Sequence, residues 1–164
     1  MILTELIRMA SRGEPINSAA RSVARVRDKF VAFAGFTQSL AGLSQCQRLR
    51  VGCTVVRPDL SEVVAIGYNG PPVGLPNDGC RSAEGNCGCV HAEANALLKL
   101  KVGTPGLVMI TTDSPCEHCA GLILNAGGRV RAVAYARAYR DPAGLSRLVE
   151  GGVTVATWAA VAGS

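Results

Sequence analysis

The order of apolar and polar positions predicts a chain that starts with a helix and a hairpin. A helix is expected over residues 18–43, although two glycines near its C-terminal end weaken it. The apolar run 51–57 predicts a strand that ends at the turn residues Pro58 and Asp59. A second strand is expected over 62–68, so the two strands pair as a hairpin.

Beyond residue 90 the pattern changes to an alternation of helices and strands. The expected helices cover 91–101, 116–125 and 142–150, and the expected strands cover 106–111, 130–135 and 153–156. A hairpin followed by such an alternation predicts an α/β fold, a three-layer α/β/α sandwich around a mixed five-stranded sheet. The segment 69–90 is a loop rich in glycine, proline and cysteine, and loops of this length are usually functional or held by a metal.

The length of 164 residues predicts one domain with a core of its own. Residues 1–28 are weakly patterned, with Gly13 and Pro15 interrupting any early helix, and we expect an N-terminal extension there. The expected domain covers 29–164. No apolar stretch reaches the length of a membrane span, and the N-terminus lacks the features of a secretory signal. A cytoplasmic location without a membrane partner is therefore expected.

The net charge of +5 is carried mostly by arginine and is compatible with two classes of partner. A basic surface can hold a nucleic acid, and arginines can also line a pocket for a phosphorylated small molecule. No run of lysine and arginine exceeds two residues, and aromatic residues make up only 4% of the chain, too few for a base-stacking platform. The pattern therefore favours the small molecule over the nucleic acid.

Two short motifs carry ligands of a transition metal. His91 begins one expected helix and is followed by Glu93, while Cys116 and Cys119 lie on one face of another helix. One histidine and two cysteines leave the fourth tetrahedral position of Zn²⁺ open, which is typical of a catalytic site. The C-x-x-C pair alone is equally compatible with a structural zinc knuckle or a redox pair. The histidine and the carboxylate upstream favour the catalytic site.

Glu93 is the candidate proton carrier beside that metal. On an ideal helix its side chain diverges from that of His91 by about 200°, but near the start of a helix both reach one pocket. A carboxylate beside a metal-activated water can take its proton and pass it to the substrate and the leaving group. Pro115 is expected in the first turn of the cysteine helix, where its missing N–H has no cost. His118 is expected to face solvent.

The other five cysteines form two groups. Cys53 lies within an expected strand and is best explained as a small core residue. The remaining four are candidates for a second, structural zinc site, because four thiolates suit a closed tetrahedral site and three of them lie in the long loop. They are Cys46, Cys80, Cys87 and Cys89. The alternative is a set of reduced thiols in a flexible loop.

The combination His-x-Glu and Pro-Cys-x-x-Cys is similar to the signature of the zinc nucleobase deaminases. Longer stretches resemble one branch of that group, the deoxycytidylate (dCMP) deaminases. The stretches are Ser44-Gln45-Cys46, Gly67-Tyr68-Asn69-Gly70-Pro71-Pro72, Cys89-Val90-His91-Ala92-Glu93-Ala94-Asn95-Ala96-Leu97, Ser114-Pro115-Cys116-Glu117-His118-Cys119 and Tyr139-Arg140-Asp141. The resemblance covers residues 30–156. It implies a cytidine-deaminase-like fold, a homo-oligomer (hexamer or dimer), and hydrolysis of dCMP to dUMP with release of ammonia.

The resemblance also implies a role for each matching residue of the site. The implied zinc ligands are His91, Cys116 and Cys119, with Glu93 as the proton shuttle. The implied substrate contacts are Asn69 to the deoxyribose, the backbone at Ala92 and Ser114 to the base edge, and Tyr139 packed near the nucleotide.

Regulation and a second metal are implied more weakly. In this branch the segment formed by Gly67, Tyr68, Asn69 and Gly70 belongs to a region where dCTP, with Mg²⁺, activates and dTTP inhibits. Some relatives hold a second zinc through cysteine and histidine, and this chain has cysteine at Cys87 and Cys89 instead.

Several of these residues also have a plain structural interpretation. Tyr68 can be a strand residue packed under the sheet, and Asn69 with Gly70 can be an ordinary turn. Asn95, inside an apolar helix, is expected to satisfy a buried backbone group.

The substrate phosphate and the substrate class stay open. The arginines near the motifs are Arg48, Arg50, Arg81 and Arg140, of which Arg48 and Arg140 are our candidates for binding phosphate. One alternative function is deamination of a 5-substituted dCMP or another cytosine nucleoside or nucleotide. Another is a nucleic-acid-editing deaminase with a basic surface for a single strand. A third is a non-catalytic zinc module, which the presence of Glu93 argues against.

Overall fold

The computed structural model describes residues 18–77, 80, 87–101 and 105–163. The helices are α1 (Ser18–Ala41), α2 (Ala92–Leu97), α3 (Glu117–Asn125), α4 (Ala143–Glu150) and α5 (Trp158–Ala162). The strands are β1 (Gly52–Val56), β2 (Val63–Tyr68), β3 (Leu107–Asp113), β4 (Val130–Arg137) and β5 (Thr154–Thr157).

The five strands form one mixed sheet in the order β2-β1-β3-β4-β5. The expected hairpin is confirmed, because β1 pairs antiparallel with β2. The other edge of β1 pairs antiparallel with β3. The strands β3, β4 and β5 then run parallel. All seven residues of β3 are buried, as expected for a central strand covered by helices on both faces.

Helices cover the sheet on both sides and divide the core in two. On one side α1 and α5 pack against the sheet through residues such as Phe30 and Val161, which meet Ile110 of β3. On the other side α2, α3 and α4 pack against Met109 of β3 and its neighbours, with Leu148 as a buried contact from α4. Alternate residues of β3 therefore serve opposite cores. The predicted three-layer α/β/α sandwich with a mixed five-stranded sheet is confirmed.

The helix expected over 91–101 is shorter than predicted and less buried. It ends at Leu97, and Leu98 is 82% exposed. After Ala96 the chain closes tighter turns, in which the N–H of Lys99 donates to the carbonyl of Ala96 at 3.1 Å. The predicted end of this helix was wrong because the apolar residues continue beyond the last α-helical residue.

Two strands are longer than predicted because their polar ends still belong to the sheet. The strand β3 runs to Asp113 and β4 to Arg137, two residues beyond each expected end. These two residues are partners in the parallel ladder, and their side chains form an ion pair at 2.8 Å. Pairing between strands therefore continues the sheet past the last apolar residue.

The helix termini also differ in detail from the prediction. Cys116 is the N-cap of α3, so Pro115 precedes the helix instead of lying in its first turn. The helix α5 was not predicted, and Thr157 caps it by accepting a hydrogen bond from the N–H of Ala160 at 3.1 Å.

The helix α1 crosses the expected boundary between an extension at 1–28 and a domain from 29. Val26 packs against the same core as Phe30, so the described part before residue 29 is continuous with the sheet packing. Residues 1–17 lie outside the described part, and the division itself stays a prediction. Among the described helices, none combines the length and the hydropathy needed to cross a bilayer.

Gly67 is expected to be a packing requirement, since β2 and α2 touch through their backbones there. A Cβ at Gly67 would lie 2.1 Å from the carbonyl oxygen of Ala92, whereas a Cβ at Gly70 would meet nothing within 4 Å. We expect Gly67→Ala to lower the free energy of unfolding by about 1–3 kcal/mol, measured by urea denaturation. Gly70→Ala is the matched control and should change it little. Equal values for both variants would contradict this packing role.

Candidate active site

The two metal motifs meet at the N-terminal ends of two neighbouring helices. Nδ1 of His91 lies 3.3 Å from Sγ of Cys119 and 3.5 Å from Sγ of Cys116. The three ligand atoms all lie within 4.8 Å of one another. In a tetrahedral zinc site with ordinary bond lengths, a histidine nitrogen and a cysteine sulfur are ~3.6 Å apart. The donor set and its spacing therefore fit one Zn²⁺ with a fourth position left for water.

The backbone places these ligands by using two of them as helix caps. His91 is the N-cap of α2 and Cys116 the N-cap of α3, both with extended backbone and neither with a side-chain capping hydrogen bond. Their side chains are consequently available to a metal. Cys119 lies one turn into α3 and is fully buried.

The thiols of the pair are unequal in acidity because they are hydrogen-bonded to each other. The hydrogen bond from Cys119 lowers the pKa of the Cys116 thiol to about 3, and the hydrogen bond with His91 contributes. Donating that hydrogen bond raises the pKa of Cys119, with burial adding to the effect. The hydrogen bond to Cys116 also raises the pKa of His91. The lowered pKa of Cys116 favours the thiolate, which is the protonation state that zinc requires.

Glu93 lies in the first turn of α2, beside the metal ligands. It is only 4% exposed, and burial raises the pKa of its carboxyl from 4.5 to about 7. It also shares a hydrogen bond with Cys119. A carboxyl group with a pKa near neutral can both accept and donate a proton during turnover. The expectation that His91 and Glu93 reach one pocket from a helix start agrees with this geometry.

The ligands and Glu93 lie in the wall of a cavity of about 850 Å³. Its volume is in the range of pockets that hold small molecules. The lining residues are Cys46, Arg48, Leu49, Val51, Asn69, Cys87, Cys89, Val90, His91, Ala92, Glu93, Ala94, Asp113, Ser114, Cys116, His118, Cys119, Ala138, Tyr139 and Arg140. The cavity therefore contains the proposed metal ligands, the carboxylate and the predicted substrate contacts Asn69, Ala92, Ser114 and Tyr139.

The predicted arginines separate into different places. Arg48 and Arg140 both line the cavity with exposed side chains, and the guanidinium of Arg140 lies 5.7 Å from the ring centre of Tyr139. Arg50 is exposed but is not among the lining residues, and Arg81 lies outside the described residues.

Ser114 is buried and connects the segment after β3 to residues 137–139 through hydrogen bonds. Its N–H donates to the carbonyl of Arg137 at 2.8 Å, and its Oγ accepts from the N–H of Tyr139 at 2.8 Å. Its own N–H is therefore already used within the protein. Any reading of the base edge by Ser114 must use its carbonyl oxygen instead.

The side chain of Asn69 makes three hydrogen bonds within the protein in addition to lining the cavity. Its Oδ1 accepts from the N–H of Val51 at 2.8 Å and from Oγ of Ser44 at 2.7 Å, while its Nδ2 donates to the carbonyl of Leu49 at 2.7 Å. Because the backbone N–H can only donate, the oxygen of the amide is assigned without ambiguity. Ser44 also accepts from the N–H of Cys46 at 3.1 Å. Asn69 thus closes the loop that carries Cys46 and Arg48.

The second predicted set of cysteines also converges. Sγ of Cys46 lies 3.6 Å from that of Cys80 and 3.9 Å from that of Cys87, and with Cys89 the four sulfurs lie within 4.8 Å of one another. Sulfur atoms in a tetrahedral zinc site are ~3.8 Å apart, so these residues fit a closed Cys₄ site.

The surroundings of this second cluster shift the pKa values of its thiols in opposite directions, because burial and the neighbouring thiols raise the pKa of Cys89, whereas the pKa of Cys46 is lowered. Burial by itself raises the pKa of Cys46, but hydrogen bonds from the backbone of Leu49 and Arg48 and from neighbouring thiols bring it to about 7. The N–H of Gln47 also points at Sγ of Cys80, at 3.4 Å. Cys53, by contrast, is fully buried in the core, and burial raises the pKa of its thiol.

The remaining residues of the regulatory prediction have clear structural surroundings. Tyr68 is 37% exposed at the end of β2, and its carbonyl accepts from Nδ2 of Asn95 at 2.9 Å. Gly70 and Val90 form an isolated antiparallel bridge, with the N–H of Val90 donating at 2.8 Å. Asn95 therefore bonds a backbone group, as predicted, but that group is exposed and not buried. His118 is exposed, as expected, yet it lies at the cavity.

One residue of the cavity was missed by the sequence reasoning. Asp113 is buried, and its Oδ2 accepts from Oγ1 of Thr112 at 2.9 Å and from Arg137 at 2.8 Å. A signal was available, since an acidic residue closes an apolar strand three positions before Cys116. It was overlooked because the strand was expected to end at Thr111.

Comparisons with known proteins agree with this site. Residues 26–137 match the sequence model of the cytidine and deoxycytidylate deaminase zinc-binding region. ComE operon protein 2 of Bacillus subtilis is 37% identical over 131 residues, covering 75% of this chain and 67% of that protein. The deoxycytidylate deaminase of Saccharomyces cerevisiae is 37% identical over 129 residues, covering 70% of this chain and 40% of that protein.

A solved structure also resembles this one. The dCMP deaminase of the cyanophage S-TIM5, crystallised in complex with dCMP and dUMP, superposes with a TM-score of 0.69 at 33% identity. The match covers 77% of this chain and 93% of that chain. The predicted cytidine-deaminase-like fold is therefore confirmed.

Asn69→Ala is expected to destabilise the protein even without a nucleotide. The substitution leaves the N–H of Val51 without its acceptor and the carbonyl of Leu49 without its donor, which should lower the free energy of unfolding by about 2–3 kcal/mol. Tyr139→Phe, at the same cavity, should leave it unchanged. Chemical denaturation of the nucleotide-free variants measures both. If Asn69 acted only as a substrate contact, its variant would be as stable as the parent protein.

Proposed function

The chain belongs to the family of cytidine and deoxycytidylate deaminases, and we propose on that basis that it hydrolyses dCMP to dUMP and ammonia. The observation that carries the proposal is the meeting of His91, Cys116, Cys119 and Glu93 in the wall of one cavity. Three ligands with a buried carboxylate beside them suit hydrolytic deamination of a cytosine ring.

The relatives support dCMP as the substrate more than other cytosine compounds. Relatives at 33–37% identity are deoxycytidylate deaminases, and the cyanophage structure holds dCMP and dUMP. The chain spans 40% of the yeast enzyme but 85% of the deoxycytidylate deaminase of Mycobacterium phage D29.

The chemistry divides between the metal and Glu93. His91, Cys116 and Cys119 would hold zinc, which when bound makes a water molecule acidic enough to react at neutral pH. Glu93 takes a proton from the attacking water and passes it to N3 of the ring, then takes the second proton from the new hydroxyl at C4 and delivers it to the amino group, which departs as ammonia. One water is consumed and one ammonia is released. Burial of Glu93 keeps the carboxyl from being solvated by bulk water.

The cavity wall supplies the contacts for the rest of the nucleotide. Arg48 and Arg140 would bind the phosphate, a role supported by the fact that both line the cavity with exposed side chains. Tyr139 packs beside the nucleotide, and the backbone at Ala92 and Ser114 faces the base. Asn69 contributes mainly by holding the loop that carries Arg48, and its amide has a second N–H for the deoxyribose.

We also propose that Cys46, Cys80, Cys87 and Cys89 hold a second, structural zinc. The site would fasten the long loop to the segment that follows α1. Cys89 belongs to the proposed second zinc site, and His91, two residues later, belongs to the proposed catalytic site. Val90 lies between them and is hydrogen-bonded to Gly70. The loop therefore contributes to the position of the catalytic histidine.

Three further proposals go with membership of this family. They are activation by dCTP with Mg²⁺ at the segment Gly67–Gly70, assembly into a homo-oligomer, either a hexamer or a dimer, and a cytoplasmic location. The described contacts of Gly67 are explained by packing alone, so a nucleotide titration is required for the first proposal.

Ammonia release from a panel of cytosine compounds tests the proposed reaction. The panel is dCMP, 5-methyl-dCMP, CMP, deoxycytidine, dCTP and a cytosine-containing oligonucleotide. We expect dCMP to have the highest kcat/KM. Turnover of the oligonucleotide alone would overturn the substrate assignment while leaving the metal site in place.

Glu93→Gln is expected to lower turnover by at least ~10²-fold, because the amide cannot carry the proton. Zinc content, measured by mass spectrometry of metals, should stay at the parent value, since Glu93 is not a ligand. His91→Ala is the contrasting variant and should lose both activity and the catalytic zinc. Retention of full activity by Glu93→Gln would rule out its role as proton carrier.

Purified protein is expected to contain two zinc ions per chain, and Cys80→Ser should reduce this to one. Cys53→Ala is the matched control, because it also removes a buried cysteine but should leave two ions. A parent protein with one zinc, unchanged in Cys80→Ser, would exclude the second site.

A further inference from the structure

The N-terminal end of α4 packs directly against the loop that carries Cys116. A Cβ built on Gly144 would lie 2.0 Å from the carbonyl oxygen of Pro115, 2.7 Å from the carbonyl carbon of Cys116 and 2.9 Å from its oxygen. Real Cβ atoms do not come this close to backbone. Only glycine allows α4 to contact the peptide of the zinc ligand at this distance.

The backbone conformation of Gly144 does not itself require glycine. The residue lies inside α4 and is not among the glycines with positive φ. In a helix, alanine is favoured over glycine by about 1 kcal/mol. The close approach to Pro115 and Cys116 is therefore the physical reason for glycine at this position.

A second contact from α4 reaches the other side of Cys116. One turn after Gly144, Arg147 forms an ion pair with Glu117, the residue that follows Cys116. Both side chains are about half exposed, so the ion pair adds little to the free energy of unfolding. Its contribution is to orient the start of α3 relative to α4.

The segment 137–139, which precedes α4, is hydrogen-bonded to Ser114, two residues before Cys116. The N–H of Ser114 donates to the carbonyl of Arg137, and the N–H of Tyr139 donates to Oγ of Ser114. Residues 114–117 are thus bonded or packed along their length against residues 137–147. The same segment carries Tyr139 and Arg140, which line the cavity.

We propose that α4 positions Cys116 as a zinc ligand, with Gly144 as the positioning residue. Cys116 is the N-cap of α3, and its side chain makes no capping hydrogen bond to that helix. The contacts of its backbone with α4 therefore help to fix its position. Gly144 sets the distance of that backbone, and Arg147 sets the orientation of the helix start. The inference rests on the proposed zinc centre but not on the identity of the substrate.

Gly144→Ala tests the proposal, with Gly151→Ala as the matched control. Gly151 ends the same helix, and a Cβ there would lie 2.2 Å from the side chain of Leu124, far from the cysteine loop. The variants are stripped of metal and titrated with Co²⁺, and the thiolate-to-cobalt absorption bands are recorded. His91→Ala identifies the bands that belong to the catalytic site.

We expect Gly144→Ala to weaken Co²⁺ binding at the catalytic site by roughly 10- to 100-fold and to shift its bands, as changes behind a metal ligand commonly do. The bands of the Cys₄ site should not change. Gly151→Ala should lower the melting temperature but leave cobalt binding at the parent value. Unchanged cobalt binding in Gly144→Ala, or equal weakening in both variants, would overturn the proposal.

Arg147→Ala provides a test that has no steric clash, in case Gly144→Ala does not fold. Its matched control is Arg57→Ala, which removes a comparably exposed ion pair with Glu62 in the β1–β2 turn. We expect faster release of cobalt to a chelator from the catalytic site of Arg147→Ala only. Equal release rates in these two variants and the parent would then overturn the role of α4.

Discussion

At Gly67 and at Gly144 backbone packs directly against backbone, next to the two helix starts that carry the candidate metal ligands. Gly67 lets β2 touch α2, which carries Glu93 and follows His91, while Gly144 lets α4 touch the peptide of Cys116. The N-terminal ends of α2 and α3 lie side by side, with His91 and Cys116 as their N-caps. Their ligand atoms reach a spacing that suits zinc without any side-chain capping bond in either helix.

Electrostatics at this junction explains why the site needs a metal. Cys116, Glu93 and three residues of the second cysteine cluster, Cys46, Cys87 and Cys89, all border one cavity. Without a cation these groups repel one another in a poorly solvated place. Zinc would neutralise the thiolates, and the arginines on the wall would balance a substrate phosphate. The buried Asp113 is already neutralised by Arg137, so it adds little to the negative potential.

Much of the fold could be predicted because its elements follow local apolar patterns. The hairpin, the parallel strands and the helix after Cys116 were all expected near their observed places. The errors occur where pairing between distant segments decides the outcome. The ladder partners Asp113 and Arg137 extend two strands past their apolar residues. Leu98 is 82% exposed after α2 ends, although leucine is usually a buried residue type.

The sequence by itself determined the types of the metal ligands and the three-residue spacing of Cys116 and Cys119, which acts within one helical turn, whereas the fold brought His91 to them. Only the tertiary structure decided what the other residues do. It assigned the amide of Asn69 to the loop before β1, separated Arg50 from the cavity that Arg48 and Arg140 line, and brought Gly144 against Cys116. These roles depend on contacts between segments about 20 to 30 residues apart or more, and local spacing carries no information on such distances.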